Sequence, residues 1–244
     1  MKIKTILLFL ILSNIAISAN YKGIDISKYQ GNVDFKRIDT SISFIIIKST
    51  EGINLKDKKF DYNWNNVKNT KQKVYRGAYH YFRPNKSGIE QAKFFLETVQ
   101  FKKGDIVPVI DVEQIHYFVY YTKVKVKRGH KIYYKKRRRI YINNQVAYHN
   151  LRDMVDYIYK HLKVKPIIYT TTSHWNSYYA KSFQNEHHHF LWIADYRKKV
   201  KDPKVPFGWN WHIWQYSPKG RVCGIKNCVD INISKYHPST FTIK

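Results

Sequence analysis

Apolar and polar positions fall into alternating blocks along this chain. Short runs rich in Ile, Val and aromatic residues, GIDIS at 23–27, FIIIK at 44–48, YRGAYHYF at 75–82 and IVPVIDVE at 106–113, are separated by longer polar stretches. Runs that are apolar throughout are what strands covered on both faces require. Between them, Phe60, Trp64 and Val67 mark a helical region over about 60–73, and Ala92, Phe95, Leu96 and Val99 mark a helix over 89–99. A shorter helical segment is expected near 34–38, after the GNVDF turn. Val146, Leu151, Val155, Ile158 and Leu162 mark a helix over about 144–161, and four more strands follow: PIIYT at 166–170, LWIADY at 191–196, HIWQYS at 212–217 and CVDINI at 228–233. Of these eight strands only the first five have room for a helix behind them. Strand and helix in alternation fold economically as a parallel sheet with outer helices, and a barrel is one form of that sheet.

One stretch breaks the rhythm. Residues 117–142 hold ten Lys or Arg, among them Lys123 and the run that ends at Arg139, and no Asp or Glu. Two alternating segments flank Arg128-Gly129-His130, which predicts a basic β-hairpin inserted directly after the IVPVIDVE strand. The whole chain is strongly basic, with a formal net charge of +27 over 244 residues. A charge of that sign attracts polyanions, whether wall polymer, anionic membrane or nucleic acid.

The N-terminus has its own character. Lys2 and Lys4 precede the apolar run ILLFLILSNIAIS and small residues around Ala19. That is the layout of a secretory signal peptide over 1–19, with an uncleaved N-terminal anchor as the alternative; either exports the folded part, residues 20–244. In an exported protein Cys223 and Cys228, four residues apart across Gly224, are expected to form a small disulfide; two sulfurs without a nearby His are too few for a closed zinc site. The run His187-His188-His189 cannot turn three adjacent side chains onto one ion, so no metal is expected there, and no cofactor elsewhere.

The chemistry concentrates at strand ends. Side chains alternate across a strand, so Asp111 and Glu113 face the same side while Val112 faces the other, with α-carbons about 6.5–7 Å apart. Each acid then resists the ionisation of the other, which is a way to hold a carboxyl protonated near neutral pH. Such pairs serve as general acid and charge stabiliser at glycosidic bonds. The same pair is also compatible with two solvated acids bound to nearby Lys and Arg. Asp25 in GIDIS, Glu51 after FIIIK and Asp230 in CVDINI are further carboxylates at or just past strands.

GIDISKYQG, FIIIKSTEG, GAYHYF, PVIDVE, IIYT, LWIADY, WQYS and VDIN, taken in order from Tyr21 to Asn232, resemble the lysozymes of glycoside hydrolase family 25, the Chalaropsis-type N-acetylmuramidases. The resemblance implies an α/β, TIM-like barrel of eight strands and about five helices, (β/α)5(β)3, with its last three strands largely in antiparallel hairpins. It implies a secreted enzyme that hydrolyses the β-1,4 bond between N-acetylmuramic acid and N-acetylglucosamine in peptidoglycan, with net retention assisted by the substrate's own N-acetyl group. Carried over position by position, it makes Glu113 the general acid and Asp111 the stabiliser of an oxazolinium, and it gives Asp25 and Asp230 orienting roles.

Tyr79, Phe82, Tyr169, Tyr196 and Trp214 lie at strand ends and are candidates for stacking on sugars, against the alternative of core packing; Glu51 is a candidate cleft residue. Asp195 in LWIADY reads as structural. The basic hairpin departs from the family pattern, and two readings of it stand: a solvated decoration, or a grip on anionic wall polymer beside the cleft. Peptidoglycan is the partner implied, with no obligate nucleic acid and no membrane span once the signal is removed. The alternative function is a non-catalytic peptidoglycan-binding barrel. A chitin-cleaving relative would show a DxxDxDxE pattern, which this sequence lacks.

Overall fold

The computed structural model describes residues 20–114, 117–128, 131–180, 189–198 and 200–244. The expected signal segment 1–19 lies outside the described residues, as do His187 and His188. The chain runs through β1 (Tyr21–Ile26), β2 (Ile42–Glu51), the short β3 (Leu55–Lys56), α1 (Phe60–Asn66), β4 (Tyr75–Tyr81), α2 (Gly88–Val99) and β5 (Val109–Asp111). It continues through β6 (Tyr117–Arg128), β7 (Lys131–Ile142), α3 (Asn144–Leu162), β8 (Ile167–Thr171), α4 (Thr172–Tyr178), β9 (Phe190–Ala194), β10 (Trp211–Gly220) and β11 (Val229–Ser234). Eight strands follow one another in the order β1-β11-β10-β9-β8-β5-β4-β2, and β1 pairs with β2 to close the barrel.

All neighbours around the barrel are parallel except at β11, which runs antiparallel to both β10 and β1. The antiparallel hairpins implied for the last three strands are therefore confined to one strand: β9 pairs parallel with β8 and with β10. Four α-helices are present among the described residues, not five. The segment expected to be helical at 34–38 is a single 3-10 turn, Phe35–Arg37, capped by the Asp34 side chain and preceded by a reversal at Gly31 with φ 69°. Three of the four helices begin where side-chain caps accept first-turn N–H groups: Ser87 for α2, Asn143 for α3 and Thr171 for α4.

The strand expected over 106–113 is ladder-paired only at Val109–Asp111. Pro108 has no N–H to give to a ladder, and the N–H of Val107 turns instead to the carbonyl of Phe241 at 2.7 Å. Glu113 consequently stands two residues beyond the strand end.

Alternation divides each barrel strand between two cores. Phe44, Ile46, Val109, Ile167, Trp192 and Ile213 fill the barrel interior, and Ile106 and Phe241 join them. Ile45, Ile47, Ala78, Ile110, Ile168, Leu191 and Ile193 face outward, against Ala92 and Phe95 of α2, Leu151, Val155 and Ile158 of α3 and Trp175 of α4. Gly23 on β1 leaves room for the ring of Phe44, which any Cβ there would overlap. His80 also faces outward and is fully buried, hydrogen-bonded to Thr50 at 2.8 Å and Gln91 at 3.1 Å; burial pushes its pKa down to about 4, so it is a neutral structural histidine.

β6 and β7 form a separate antiparallel ribbon, in register from Tyr117↔Ile142 to Arg128↔Lys131. Lys123, Lys125 and Lys127 are exposed and lie opposite Lys136, Tyr134 and Ile132, all exposed as well. Directly paired residues share a face, so this side of the ribbon carries four lysines. The side chains at 137–142, Arg139 among them, lie outside the described residues.

Cys223 and Cys228 are exposed free thiols, so the disulfide expected between them is not formed. Their loop is held by hydrogen bonds instead. The N–H of Cys223 donates to the Asp39 carboxylate at 3.2 Å, Gln30 Nε2 donates to the carbonyl of Cys228 at 3.1 Å, and Asn227 Nδ2 donates to that of Tyr29 at 2.7 Å.

Candidate active site

The parity that fills the lower barrel with apolar groups continues upward into polar ones. Two residues above Ile46 is Lys48; two above Val109 is Asp111; two above Ile167 is Tyr169; two above Ile213 is Gln215. On β1, Asp25 pairs in register with Asp230 of β11. These side chains, Lys48 apart, meet at the carboxyl end of the parallel strands, in a cavity of about 240 Å³ lined by Asp25, Tyr79, Asp111, Glu113, Tyr169, Trp192, Tyr196, Gln215 and Asp230. A second lobe of about 460 Å³ shares Asp25, Tyr79, Asp111, Glu113 and Asp230 and extends to Lys48, Glu51, Tyr81 and Arg83.

Asp25 is the most constrained carboxyl. Its Oδ2 accepts from Gln215 Nε2 and from Asn232 Nδ2, each at 2.8 Å. Those amides are themselves fixed: Tyr169 and Tyr196 donate their hydroxyls to Gln215 Oε1, and Trp192 Nε1 donates to Asn232 Oδ1 at 2.8 Å. Burial, and then the charge of Asp230, push Asp25 up to about 8 despite these two donors. Asp230 is raised by burial too, against a lowering hydrogen bond with Asp25. Facing acids in a water-poor pocket share protons in this way, because neither can ionise without cost to the other.

Asp111 is buried, and its Oδ1 has no hydrogen-bond partner among the described residues. Burial raises its pKa well above the carboxylate range, with the charge of Glu113 adding to the shift and Lys48 opposing it. A buried, unpartnered carboxyl oxygen facing a cavity is a vacant place for an N–H or O–H donor.

Glu113 stands exposed at the mouth between the lobes. Partial desolvation raises its pKa, with Asp230 adding to the rise and the Tyr81 hydroxyl and Lys48 opposing it. Glu51 shows the opposite balance. Its partial burial is outweighed by Lys48 at 2.9 Å and by Arg83, and its pKa is held below the usual range.

The residues expected at the site separate into two groups. Asp25, Asp111, Glu113, Asp230, Tyr79, Tyr169 and Tyr196 line the first lobe and Glu51 the second. Phe82 does not: it is fully buried in the outer core. Trp214 does not either, being buried in the same core with its Nε1 donating to the carbonyl of Asp195 at 2.8 Å. Both sit one residue out of step with the inward-facing positions, Tyr81 for the first and Gln215 for the second. The Asp195 carboxylate is turned away to Arg197, which lowers its pKa. Trp192, Gln215, Asn232, Tyr81, Lys48 and Arg83 were not expected at the site. The two-residue step from an already suspected acid or apolar core position would have found Lys48, Gln215 and Asn232. No group of three His, Cys, Asp or Glu with the geometry to hold a metal ion occurs among the described residues.

Comparisons with known proteins bear on the family and the fold. A family model described as glycosyl hydrolases family 25 matches residues 24–225. The protein named "Uncharacterized protein YegX" of Escherichia coli is 34% identical over 227 residues, covering 90% of this chain and 72% of its own. "Lysozyme M1" of Streptomyces globisporus is 32% identical over 228 residues, covering 89% of this chain and 68% of its own. Among solved structures, the bacterial lysozyme from Streptomyces coelicolor shares the fold with a TM-score of 0.74 at 27% identity, over 91% of this chain and 95% of that one.

Proposed function

The chain belongs to family 25 of the glycosyl hydrolases and is a glycoside hydrolase of the lysozyme type, and on that footing we propose that it cleaves the β-1,4 bond between N-acetylmuramic acid and N-acetylglucosamine with net retention. The observation that carries the reading is the gathering of four carboxyls, all of them shifted upward by burial before any other cause, around one cavity at the carboxyl end of the barrel strands. Glu113, at the mouth and with a raised pKa, holds the proton that the leaving N-acetylglucosamine oxygen takes as the C1–O bond breaks. The acetamido carbonyl oxygen of the muramic acid attacks C1 and forms an oxazolinium. Asp111, whose Oδ1 has no partner of its own, accepts the acetamido N–H and steadies the positive charge. Water then attacks C1, gives its proton back to the Glu113 carboxylate and opens the ring, which restores the β configuration. Asp25 and Asp230 hold the floor of the pocket, and Tyr79, Tyr169 and Tyr196 contact the sugar.

The test is digestion of purified peptidoglycan followed by reduction and mass spectrometry. Fragments ending in reduced N-acetylmuramic acid are expected; fragments ending in reduced N-acetylglucosamine, or intact glycan that pellets with the protein, would overturn the assignment in favour of another bond or of a binding barrel.

The export suggested by the N-terminal segment fits this substrate, which lies outside the cytoplasmic membrane. Among the described residues no helix is long and apolar enough to cross a membrane. The lysine face of the β6–β7 ribbon is proposed to hold anionic wall polymer, since clustered cations bind polyanions through a term that salt screens. Deleting 117–142 is expected to weaken pelleting with intact walls several-fold at low ionic strength and little at high; an equal loss at both would show that the ribbon does not act through charge.

A further inference from the structure

The roles assigned above use the smaller lobe and the junction. The larger lobe leads away from Asp111 and Glu113 past Tyr81 to a wall of cations, Lys48 and Arg83, and out to Lys28 and Tyr29 at the rim. The two inner cations are organised by one ring. Lys48 Nζ lies 4.6 Å from the centroid of Tyr81 and the Arg83 guanidinium carbon 5.1 Å from it. One carboxylate serves both, since Glu51 accepts from Lys48 and from Arg83. The remaining side-chain partner of Arg83 is neutral, the Oε1 of Gln114, so this wall carries more positive than negative charge and the guanidinium keeps N–H donors that no described residue takes.

The stem of Arg83 lies against Gly52, whose φ of 57° and missing Cβ leave it space; a Cβ there would come within 3.3 Å of Arg83 Cγ. The two cations also differ in where they act. Lys48 lowers the pKa of Asp111 and Glu113 as well as that of Glu51, whereas Arg83 acts on Glu51 and Tyr81. Arg83 lines the lobe, and of the two cations only Lys48 acts on the acid pair.

We propose that this lobe receives a carboxylate from the lactyl-peptide branch of the substrate and that Arg83 is the group that takes it. The inference rests on the muramidase reading and adds to it a preference for the branch. Hydroxyl and acetamido groups leave the glycan backbone neutral; its anionic groups sit on the branch at C3 of muramic acid, as the lactyl carboxyl or the acidic residues of an attached peptide. A guanidinium with donors to spare recognises a carboxylate through paired, charge-assisted hydrogen bonds, which a neutral sugar hydroxyl does not match.

The test measures the dissociation constant of Glu113→Gln, which leaves the substrate intact, for two soluble glycan preparations: muropeptide-bearing strands, and the same strands with their carboxyls converted to amides. Adding Arg83→Met is expected to weaken binding of the first preparation about tenfold or more, in line with the loss of a charge-assisted pair, and to leave the second unchanged. Arg83→Lys restores part of the preference. In the active protein, Arg83→Met raises KM and leaves the pH dependence of kcat in place. Equal weakening for both preparations, or a displaced pH profile, would show that Arg83 only positions Glu51 and Gln114, and overturns the inference while the muramidase reading stands. Failure of Glu113→Gln to bind either preparation overturns both.

Discussion

Replacing Glu113 with Gln is expected to lower kcat on peptidoglycan by about 10²- to 10⁴-fold, the usual worth of a positioned general acid, with little change in KM. The amide keeps the shape of the carboxyl but has no proton to give to the leaving oxygen. Because Glu113 is exposed beyond the end of β5, its loss removes no core packing, and the melting temperature should stay within a degree or two of wild type. Release of reducing ends is the readout. A folded variant that keeps more than a tenth of the activity would move the acid's role to another residue. The same assignment fixes a pH dependence: Glu113 must carry its proton at the start of the reaction, so the rate falls as pH rises through its elevated pKa.

Asp25→Asn has the second large effect, and it has opposite signs for stability and for catalysis. Asp25 is pushed up to about 8, so its protonated form is the one the folded pocket accommodates. The stability contributed by that proton is complete below the unfolded pKa of 3.8, declines as pH rises, and is gone once pH has passed about 8. Asparagine removes the dependence. Its oxygen can accept the same two bonds from Gln215 and Asn232, and its NH2 can donate towards Asp230. At pH 8 the variant should be more stable by on the order of 3 kcal/mol, which for a chain of this size raises Tm by about 6–12 °C, while at pH 4 the two proteins should melt together. Activity is expected to fall at both pH values, since the charge and proton shared with Asp230 are lost. An unchanged gap in Tm between pH 4 and pH 8 would contradict the buried-acid account. Function holds this carboxyl where stability alone would choose an amide.

The barrel could be read from FIIIK, YRGAYHYF, IVPVIDVE and LWIADY because a strand buried on both faces needs apolar residues at every position. The acids stand out against that background, and Asp25, Asp111 and Glu113 are legible in the sequence for that reason. Those same apolar runs concealed which side each residue faces. In YRGAYHYF the ring at the strand end, Phe82, looked like the sugar-facing group, but inward parity belongs to Tyr79 and Tyr81. In HIWQYS the large Trp214 drew attention from Gln215, the amide that actually reaches Asp25. Amides give no signal in composition or charge. Strand parity alone places Gln215 and Asn232 on the inward face, and their bonds to Asp25 follow when the ring closes and brings β10 and β11 against β1. The helix expected at 34–38 stops after one 3-10 turn for a local reason, the extended backbone of Ile38 with ψ 135°.

The hydrogen bond from Asn232 to Asp25 joins residues 207 positions apart, and the bond from Gln215 spans 190. The floor of the pocket is therefore built from the first and the last strands of the barrel. While such a chain is being synthesised, the acid of its first strand has neither its amide partners nor Asp230 beside it. The pocket is therefore complete only after the final strand has emerged and docked, so that a copy cut short before β11 lacks Asp230 and the Asn232 amide that binds Asp25.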